Sequence, residues 1–321
     1  MARASATKQH STARGTAAIP TWFGIGGGAA EVASPASINE LADLLREYPD
    51  AVILGEGANL LVDDAGVDRL VITLDSPGFK QTAIDARTGR VHAKAGVDLR
   101  KLITDTVRAG LGGLERLSGI PATIGGATIM NAGGTCGELC EFITRVHTLD
   151  RAGTERTIER QDIAFGYRTS GLAGQIITAV DLQLTPKSDA AELRERMKSI
   201  LAAKGASQPM GSKSAGCVFK NPTLAHSLPE LGLGAGERAS AGMLIDRAGG
   251  KGVRVGDAVV SDRHANFITT GPAATARDVI ELIERVRTIV LDRFGVSLER
   301  EVVIWPTDLR GSGAAGGAQE R

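Results

Sequence analysis

Hydrophobic and polar positions switch repeatedly between helical and strand-like spacing along the chain. Near the start, Ser37 and Glu40 form a capping box ahead of apolar residues at helical spacing, and Pro49 ends that helix. The run AVIL at 51–54 predicts a short buried strand, and LLV at 60–62 predicts another after a glycine-containing loop. This region therefore predicts the order helix, strand, loop, strand.

The middle of the chain predicts further strands around one helix. RLVITL at 69–74 and RVHAKAG near 91 have strand patterns, and Asp98 caps a helix that stops at Gly110. The segments VHTLD and TERTIE flank the turn RAG and predict a hairpin. QIITAVDLQL at 175–184 predicts one more strand.

The last third reads as a second module. Asp189 and Glu192 open a charged amphipathic helix that ends near Gly205 and connects the two parts. SAGMLIDRAGG predicts a short helix, VRVGDAVV a strand, and the region from about Thr275 to Phe294 a long helix before the final strand EVVIW. The fold class predicted from these patterns is α+β or mixed α/β.

The composition excludes several classes of protein. The chain has 321 residues, 42% of them hydrophobic, which is enough for substantial cores and argues against disorder. Its 37 basic and 37 acidic residues balance, so no global field attracts nucleic acid or an anionic membrane. No run approaches the roughly 18 apolar residues of a membrane span. We expect neither nucleic-acid binding nor membrane insertion.

Three cysteines, Cys136, Cys140 and Cys217, cannot form a disulfide framework and lack C-x-x-C spacing, so a reducing cytoplasm is expected. Residues 1–18 are interpreted as a disordered leader, although the lack of acids before Glu31 weakly resembles a transit peptide. Residues 307–321 are expected to form a disordered tail.

Glycine loops are the first candidates for ligand binding. GIGGGA at 24–29 matches a dinucleotide fingerprint, but no adequate strand precedes it and Pro35 interrupts the helix that should follow. No glycine loop ends as a Walker sequence does. The loops at 55–59 and 119–126 place backbone amides at strand ends, which suits either an anion nest or ordinary tight turns.

With these segments in order, the chain resembles the UDP-N-acetylenolpyruvoylglucosamine reductases, the flavoenzymes that complete UDP-N-acetylmuramate for peptidoglycan. The resemblance covers residues 21 to about 305. The matching segments are TWFGIGG, LGEGANLLV, GLERLSGIPATIGGATIMNAGG, FGYRTS, SAGCVFKNP, SAGMLIDRAGGKG, VSDRHANFI and FGVSLEREV.

The resemblance implies an α+β protein with an FAD-binding fold similar to that of the vanillyl-alcohol oxidases, in two lobes. We assign the lobes to 19–75 and 76–186, and a smaller α+β substrate-binding domain with its connector helix to 187–306. The family uses NADPH to reduce the flavin, which then gives hydride to the enolpyruvyl group.

The resemblance also implies three catalytic residues. Arg168 in FGYR matches the arginine that stabilises developing enolate charge, with a surface ion pair as the alternative. Glu301 in LEREV matches the glutamate that assists proton transfer, with an exposed strand-edge charge near Glu299 as the alternative. Cys217 stands where the family usually has a serine proton donor. A thiol has a lower unperturbed pKa than a hydroxyl and can donate more readily, but a buried inert cysteine is the alternative.

The flavin contacts implied by the family motifs lie in and around the two glycine loops. They are Gly55, Gly57, Ala58, Asn59, Leu60, Ile120, Pro121, Gly125, Gly126, Ile129 and Gly133. Glu56 and Ala58 replace a glycine and a serine of the usual first loop, which should weaken FAD binding unless Glu56 points outward. No histidine stands in either loop. We therefore expect noncovalent FAD.

The UDP-sugar contacts implied by the resemblance are Tyr167, Arg168, Asn221 and His264. Asn266 is a weaker candidate, and a structural histidine is an equal alternative for His264. The short chain after Arg168 resembles the form of the family that lacks the loop with a substrate-clamping tyrosine. We expect no metal ion, and a monomer or weak homo-oligomer.

The function expected from the sequence is NADPH-dependent reduction of UDP-N-acetylglucosamine enolpyruvate through FAD. Two alternatives stay open: a flavin oxidase of similar fold acting on another alcohol or sugar, and a flavin or nucleotide-sugar binding protein without turnover. An oxidase has no need for an acid beside an arginine–glutamate pair, so Arg168, Cys217 and Glu301 argue against the first. Cys217 and the altered first loop keep the second open.

Overall fold

The computed structural model of the chain describes residues 12–311. Runs of strands are separated by one or two α-helices through this range, an α+β arrangement as the sequence predicts. In chain order the elements are β1 (Thr12–Ala18), β2 (Gly28–Ala33), α1 (Ile38–Glu47), β3 (Val52–Leu54), β4 (Leu60–Val62), β5 (Val67–Thr73), β6 (Thr82–Asp85), β7 (Arg90–Lys94), α2 (Leu99–Arg108), α3 (Ile124–Ile129), β8 (Gly133–Gly134), β9 (Gly137–Glu138), β10 (Ile143–Leu149), β11 (Glu155–Glu159), β12 (Ile176–Gln183), α4 (Ala190–Ser207), α5 (Ala241–Arg247), β13 (Arg254–Val255), β14 (Ala258–Val260), β15 (Ile268–Thr270), α6 (Ala276–Phe294), β16 (Val303–Trp305) and α7 (Thr307–Gly311).

The chain divides into two compact units. Unit 1 contains the described residues up to Ala17 together with 29–55 and 68–197, and unit 2 contains 18–28, 56–67 and the described residues from Lys198 onward. The boundary between them falls within α4.

Unit 1 is built on two sheets. A four-stranded sheet has the order β1-β2-β5-β3, with β3 and β5 parallel. A five-stranded sheet has the order β11-β10-β12-β7-β6, and its neighbouring strands are antiparallel. Val91 and Ala93 of β7 and Val180 and Leu182 of β12 belong to the core of unit 1, and helices α1 and α2 add their leucines to it. The opposite face of the five-stranded sheet therefore presents polar side chains.

The caps of the first two helices form largely as the sequence predicts. The Ser37 hydroxyl accepts the Glu40 backbone N–H at 3.2 Å, and the Glu40 carboxylate accepts the Ala36 backbone N–H at 2.8 Å. At α2, Asp98 accepts the N–H groups of Arg100 and Lys101 at 2.7 and 3.2 Å. Each cap satisfies donors that the first helical turn leaves open.

Unit 2 has its own core, built around the long helix α6. Thr275 and Asp278 form a reciprocal capping box at its start, and Gly295 ends it in the left-handed conformation with φ of 65°. The Asp64 carboxylate also accepts the N–H groups of Ala276 and Arg277, at 2.9 and 3.0 Å. The strands form the three-stranded sheet β13-β14-β15 and the parallel pair β4 and β16.

Three sequence expectations differ from this architecture. Part of the segment expected to be a disordered leader, Thr12–Ala18, is strand β1, and residues 1–11 lie outside the described range. The expected tail likewise begins with helix α7, and 312–321 lie outside the described range. VRVGDAVV is two antiparallel strands, β13 and β14, because Gly256 turns the chain with φ of 52°.

The division at residue 75 between the two expected FAD-binding lobes stays a prediction, and the compact units divide the chain elsewhere. Residues 56–67 belong to unit 2, because β4 pairs with β16 near the end of the described chain, with Leu60 opposite Val303. A pairing across such a sequence distance leaves no local signal in either strand. The helix predicted as an amphipathic connector, α4, packs only its first half, Leu193 and Met197, against the core of unit 1.

Candidate functional site

The first glycine loop requires glycine at its centre for a steric reason. Gly57 has φ of +66°, and a Cβ there would lie 2.1 Å from the Pro20 carbonyl oxygen. The Trp22 backbone N–H donates to the Gly57 carbonyl at 3.1 Å, so the two backbones lie side by side. Gly57 is therefore fixed by close backbone approach within unit 2, whatever ligand the loop binds.

Replacing Gly57 with alanine is expected to destabilise the protein by at least about 2 kcal/mol, because the new methyl group meets backbone and the residue keeps a positive φ. The matched control is Gly205→Ala in α4, where nothing lies within 4 Å of a new Cβ and helix propensity favours alanine. Urea unfolding of both variants checks the prediction. Equal stability of the two would contradict the steric assignment.

The end of the same loop meets the strand that follows Glu301. The Asn59 side-chain amide donates to the Glu301 backbone carbonyl at 3.0 Å, and the Val303 N–H donates to the Asn59 carbonyl at 3.0 Å. Two candidates from distant sequence positions, Asn59 for flavin and Glu301 for catalysis, are thus neighbours in unit 2. The link depends on the pairing of β4 with β16.

Glu56, which replaces a glycine of the usual first loop, is half-buried. One of its carboxylate oxygens, Oε2, is buried. The side chain is therefore turned at least partly away from solvent, and its effect on FAD binding stays a prediction. We expect the acid to weaken affinity for the pyrophosphate relative to a loop with glycine at this position.

The second glycine loop is not the open anion nest that its spacing suggests. Gly125 donates its N–H to the Ala95 carbonyl at 2.8 Å, and Gly126 donates to the Thr123 hydroxyl at 3.2 Å. Ile120 donates to the Leu117 carbonyl at 3.2 Å. These amides serve the caps and turns of unit 1. A Cβ at Gly125 would also lie 3.1 Å from the Ala95 methyl, so glycine there allows close packing.

What the second loop offers a ligand is backbone and apolar surface. Gly126 is exposed, Pro121 is half-buried, and the Ile129 side chain is 37% exposed, which is unusual for a large aliphatic residue. Gly133 pairs through β8 with β9. Contact of these residues with flavin stays a prediction, now through van der Waals surface rather than through the amides of Gly125 and Gly126.

Arg168 lies in a strained turn of unit 1. Gly166 and Thr169 exchange backbone hydrogen bonds of 2.9 and 3.2 Å, which closes the turn around Tyr167 and Arg168. Arg168 has φ of +59°, in the region that glycine prefers. Its guanidinium carbon lies 5.2 Å from the centre of the Tyr167 ring. Backbone strain of this kind is concentrated at functional sites.

A residue that the sequence analysis did not single out, Asn131, supports this turn. Its side chain is buried, and its amide donates to the Gly166 carbonyl at 3.0 Å and to Glu138 at 2.8 Å. Its side-chain oxygen, Oδ1, accepts the Cys140 backbone N–H at 3.1 Å. Asn131 also has a positive φ, 44°. The only sequence signal for Asn131 is its place in the segment MNAGG, within one of the matching family segments.

Replacing Asn131 with alanine is expected to lower the free energy of unfolding by about 2–3 kcal/mol, because buried partners lose their hydrogen bonds and alanine keeps the unfavourable φ. Asn131→Gly should recover part of this loss, since glycine relieves the backbone strain at this φ although it does not restore the hydrogen bonds. Thermal unfolding of both variants measures the difference. An alanine variant as stable as wild type would show that the side chain does not support the turn.

Cys217 and Glu301 lie on paired segments of unit 2. The Val218 carbonyl accepts N–H groups from Glu301 at 2.8 Å and Val302 at 3.3 Å, and Lys220 donates its backbone N–H to Glu299 at 2.9 Å. Cys217 is the residue next to this shared carbonyl and is half-buried. The backbone therefore places the candidate acid and the candidate glutamate at neighbouring positions.

The surroundings distinguish Glu301 from Glu299. The Glu299 side chain is 73% exposed and forms a 2.6 Å ion pair with Lys220. Glu301 is half-buried. The exposed strand-edge charge considered for Glu301 thus describes Glu299.

The segment around Cys217 also contains a buried hydroxyl. Ser214 is 6% exposed, and its Oγ has no hydrogen-bond partner among the described residues. A buried polar group without a partner is costly unless a ligand or water supplies one. This observation favours a polar ligand at the SAGC segment.

The substrate candidates of unit 2 differ in their surroundings. The Asn221 side-chain carbonyl accepts the Ala241 N–H at 2.9 Å, at the start of α5. His264 is half-buried, and the centre of its ring lies 4.7 Å from that of Phe267 in an edge-on arrangement. Burial lowers the pKa of His264.

Asn266, the weaker candidate, is buried. Its side-chain oxygen accepts the Phe219 backbone N–H at 2.9 Å, and its side-chain nitrogen donates to the Phe219 carbonyl at 2.8 Å. Asn266 therefore supports the backbone of the segment after Cys217, and its contact with a substrate stays a prediction.

The candidates are distributed over both units. Tyr167, Arg168 and the second glycine loop belong to unit 1, whereas Cys217, Glu301, Asn221 and His264 belong to unit 2. The first glycine loop crosses the division between Gly55 and Glu56. All three cysteines are free thiols. Among the described residues, no helix combines the length and apolar character that a membrane crossing requires.

Two family descriptions match the chain. Residues 29–159 match the FAD binding domain, and residues 208–305 match the C-terminal domain of UDP-N-acetylenolpyruvoylglucosamine reductase. The first match lies mainly in unit 1 and the second lies in unit 2. Arg168 falls outside both matched ranges.

Similar proteins extend over most of the chain. Proteins named UDP-N-acetylenolpyruvoylglucosamine reductase from Syntrophobacter fumaroxidans and Moorella thermoacetica are 39% and 40% identical, each over 89% of this chain and over 81% and 89% of their own. The crystal structure of the corresponding enzyme from Thermus caldophilus is 38% identical and has a TM-score of 0.77. The alignment covers 93% of this chain and all of that one.

Proposed function

Because the chain belongs to the UDP-N-acetylenolpyruvoylglucosamine reductase family, we propose that it reduces UDP-N-acetylglucosamine enolpyruvate to UDP-N-acetylmuramate, with FAD as cofactor and NADPH as hydride donor. The observation that supports this most directly is the pairing of the segments of Cys217 and Glu301, close in sequence to the buried Ser214 hydroxyl, which has no hydrogen-bond partner among residues 12–311. Both residues occupy the family's motif positions.

The residues present fit a flavin nucleotide. Exposed Ile129 and Gly126 offer surface to a planar ring, and Gly57 is a proposed flavin contact by its motif position alone. Gly55, Ala58, Asn59, Leu60, Ile120, Pro121, Gly125 and Gly133 complete the proposed flavin contacts. When bound, FAD supplies hydride transfer from NADPH to the methylene carbon of the enolpyruvyl group. Since neither loop contains a histidine, we propose noncovalent attachment.

Arg168 is the residue that stabilises developing negative charge. Hydride addition to the methylene carbon shifts electron density onto the substrate carboxylate, and a guanidinium binds the two carboxylate oxygens in a fork. The strained turn fixes the backbone of Arg168 before the substrate arrives. Tyr167 packs under the guanidinium and limits its freedom.

Cys217 donates the proton that completes the reaction. The thiol S–H bond breaks as a C–H bond forms on the carbon that carries the carboxylate, and the thiolate is reprotonated from solvent. Glu301, half-buried at the paired position, assists this proton transfer and orders the polar groups around the enolate. Ser214, whose Oγ finds no hydrogen-bond partner in the described part of the chain, can donate its hydroxyl to a substrate oxygen.

Binding of the UDP-sugar is assigned to Asn221, His264, Tyr167 and Arg168. The lowered pKa of His264 keeps its imidazole neutral at neutral pH, so it offers a polar contact and not a charge. We place the protein in the cytoplasm, where its three free thiols persist reduced, and propose a monomer or weak homo-oligomer.

The proposal is tested by separating the two halves of the reaction. Flavin-loaded protein is reduced anaerobically with one equivalent of NADPH, and UDP-N-acetylglucosamine enolpyruvate is then added. We expect flavin absorbance to return and one product to form, two hydrogens heavier than the substrate. Reoxidation by oxygen but not by the substrate would support a flavin oxidase. Substrate binding without flavin reduction would support a binding protein.

A further inference from the structure

Two histidines and an aspartate meet on the polar face of the five-stranded sheet of unit 1. His92 lies on β7 directly opposite Asp181 of β12. His147 lies on β10, where its backbone partner is Ala179, two residues before Asp181. Side chains in such opposite and diagonal positions on one face of a sheet are within reach of one another. The cluster therefore joins three neighbouring strands.

The ligand atoms of these residues already converge. His92 Nδ1 lies 2.6 Å from Asp181 Oδ1, and His147 Nε2 lies 3.1 Å from Asp181 Oδ2. The three ligand atoms all lie within 4.8 Å of one another. Ligands about 2.0–2.1 Å from zinc need separations of roughly 3.3 Å in a tetrahedron, so small side-chain rotations suffice. Two imidazoles and one carboxylate are donors that zinc accepts readily.

We propose that His92, His147 and Asp181 form a divalent transition-metal site, with Zn²⁺ as the metal that the donor set favours. His147 is prepared for this role, because its other ring nitrogen, Nδ1, lies 3.0 Å from the Thr157 hydroxyl. An outer partner of this kind fixes the ring orientation and leaves Nε2 for the metal. The sequence analysis expected no metal site, because the three residues are separated along the chain and lie on different strands.

The site is open enough for metal and solvent to enter. The side chains of His92, His147 and Asp181 are 39%, 29% and 23% exposed. Three protein ligands leave one coordination position of a tetrahedral ion for water. A bound ion would cross-link β7, β12 and β10, so it should stabilise unit 1 by binding only its folded state.

The neighbouring Arg145 opposes metal binding, and its removal gives the test a variant that should gain affinity. Arg145 Nε lies 4.0 Å from Asp181 Oδ2 and 3.5 Å from Glu159. The arginine competes for the ligand carboxylate and repels a divalent ion. Arg90 and Lys94 lie two positions to either side of His92 on β7 and add further positive charge. Removing the Arg145 charge should therefore strengthen metal binding.

The test is calorimetric titration of Zn²⁺ into tag-free, chelator-treated, flavin-loaded protein. We expect one saturable site whose affinity falls more than ~10-fold in His147→Ala and in Asp181→Asn, and about 10-fold in Thr157→Val. Arg145→Gln should bind Zn²⁺ more tightly than wild type, a gain that misfolding cannot produce. His226→Gln, an exposed histidine outside the cluster, is the matched control and should leave the affinity unchanged.

Thermal unfolding gives an independent readout. Saturating Zn²⁺ should raise the Tm of wild type and His226→Gln but not that of His147→Ala. All variants keep the three cysteines, so binding to thiols sets a common background. The inference is wrong if wild type has no site above that background, or if Arg145→Gln and His147→Ala bind Zn²⁺ with equal affinity.

Discussion

Replacing Arg168 with glycine is expected to lower turnover by roughly 10²- to 10³-fold while leaving the folded protein at least as stable as wild type. The activity is lost because the cation that meets the developing carboxylate charge disappears. The stability is kept because φ of +59° at this position favours glycine over arginine. A loss of activity without a loss of stability would identify Arg168 as a residue retained for function.

The chain provides a matched control for this experiment. Lys187 has the same φ of 59°, is exposed and belongs to no proposed contact. Lys187→Gly should therefore relieve the same kind of strain and keep full activity. Arg168→Lys should keep the charge and the strain but lose the two-pronged geometry, so its activity should lie between wild type and Arg168→Gly. If Arg168→Gly turned over substrate as wild type does, the assigned role would be wrong.

Replacing Cys217 with alanine is expected to slow the reaction with substrate by about 10²- to 10⁴-fold, because the proton donor is removed. Flavin reduction by NADPH requires no such proton and should keep its rate. Cys217→Ser restores a donor of higher pKa and should recover part of the activity. Rapid-mixing absorbance measurements of the two half-reactions, under anaerobic conditions, separate these effects.

Thiol reagents provide a second test of Cys217 once the other cysteines are removed. Cys136 is exposed, so it would react with the reagent as well. Cys140 is half-buried, and burial raises its pKa, which slows its reaction. In a Cys136→Ser, Cys140→Ser background, alkylation of Cys217 should abolish the substrate half-reaction. Full activity after complete alkylation of Cys217 would exclude it as the acid, and equal loss in both half-reactions would indicate structural damage.

Local patterns were sufficient to predict most elements of the fold. Asp98 and Thr275 precede runs with clear helical periodicity, and both act as caps in the structure. The alternation in β7 and the apolar run in β12 likewise identified strands. These signals involve residues close in sequence, and packing reinforces them.

Features that depend on distant pairing could not be predicted in this way. The assignment of residues 56–67 to unit 2 follows from the pairing of Leu60 with Val303. The sequence of neither strand indicates that the other is its partner. The same pairing explains why Asn59 meets Glu301. The His92, His147 and Asp181 cluster depends on the order of three strands and was missed for the same reason.

The sequence predicted the candidate catalytic residues but not the residues that support them. The family motifs supplied Arg168, Cys217 and Glu301. They gave no indication that Asn131 supports the Arg168 turn, or that the Ser214 hydroxyl has no hydrogen-bond partner within the described range. The glycine spacing suggested free amides in the second loop, whereas Ala95 and Thr123 accept them. Glycine density alone cannot distinguish a ligand cradle from close backbone packing.

The central claim is tested most directly by NADPH oxidation by the purified, flavin-loaded protein under low oxygen, with and without UDP-N-acetylglucosamine enolpyruvate. The proposed function predicts slow oxidation without the sugar nucleotide and one NADPH consumed per UDP-N-acetylmuramate formed when it is present. A folded, yellow protein that oxidises NADPH at the same rate with and without the substrate would contradict it.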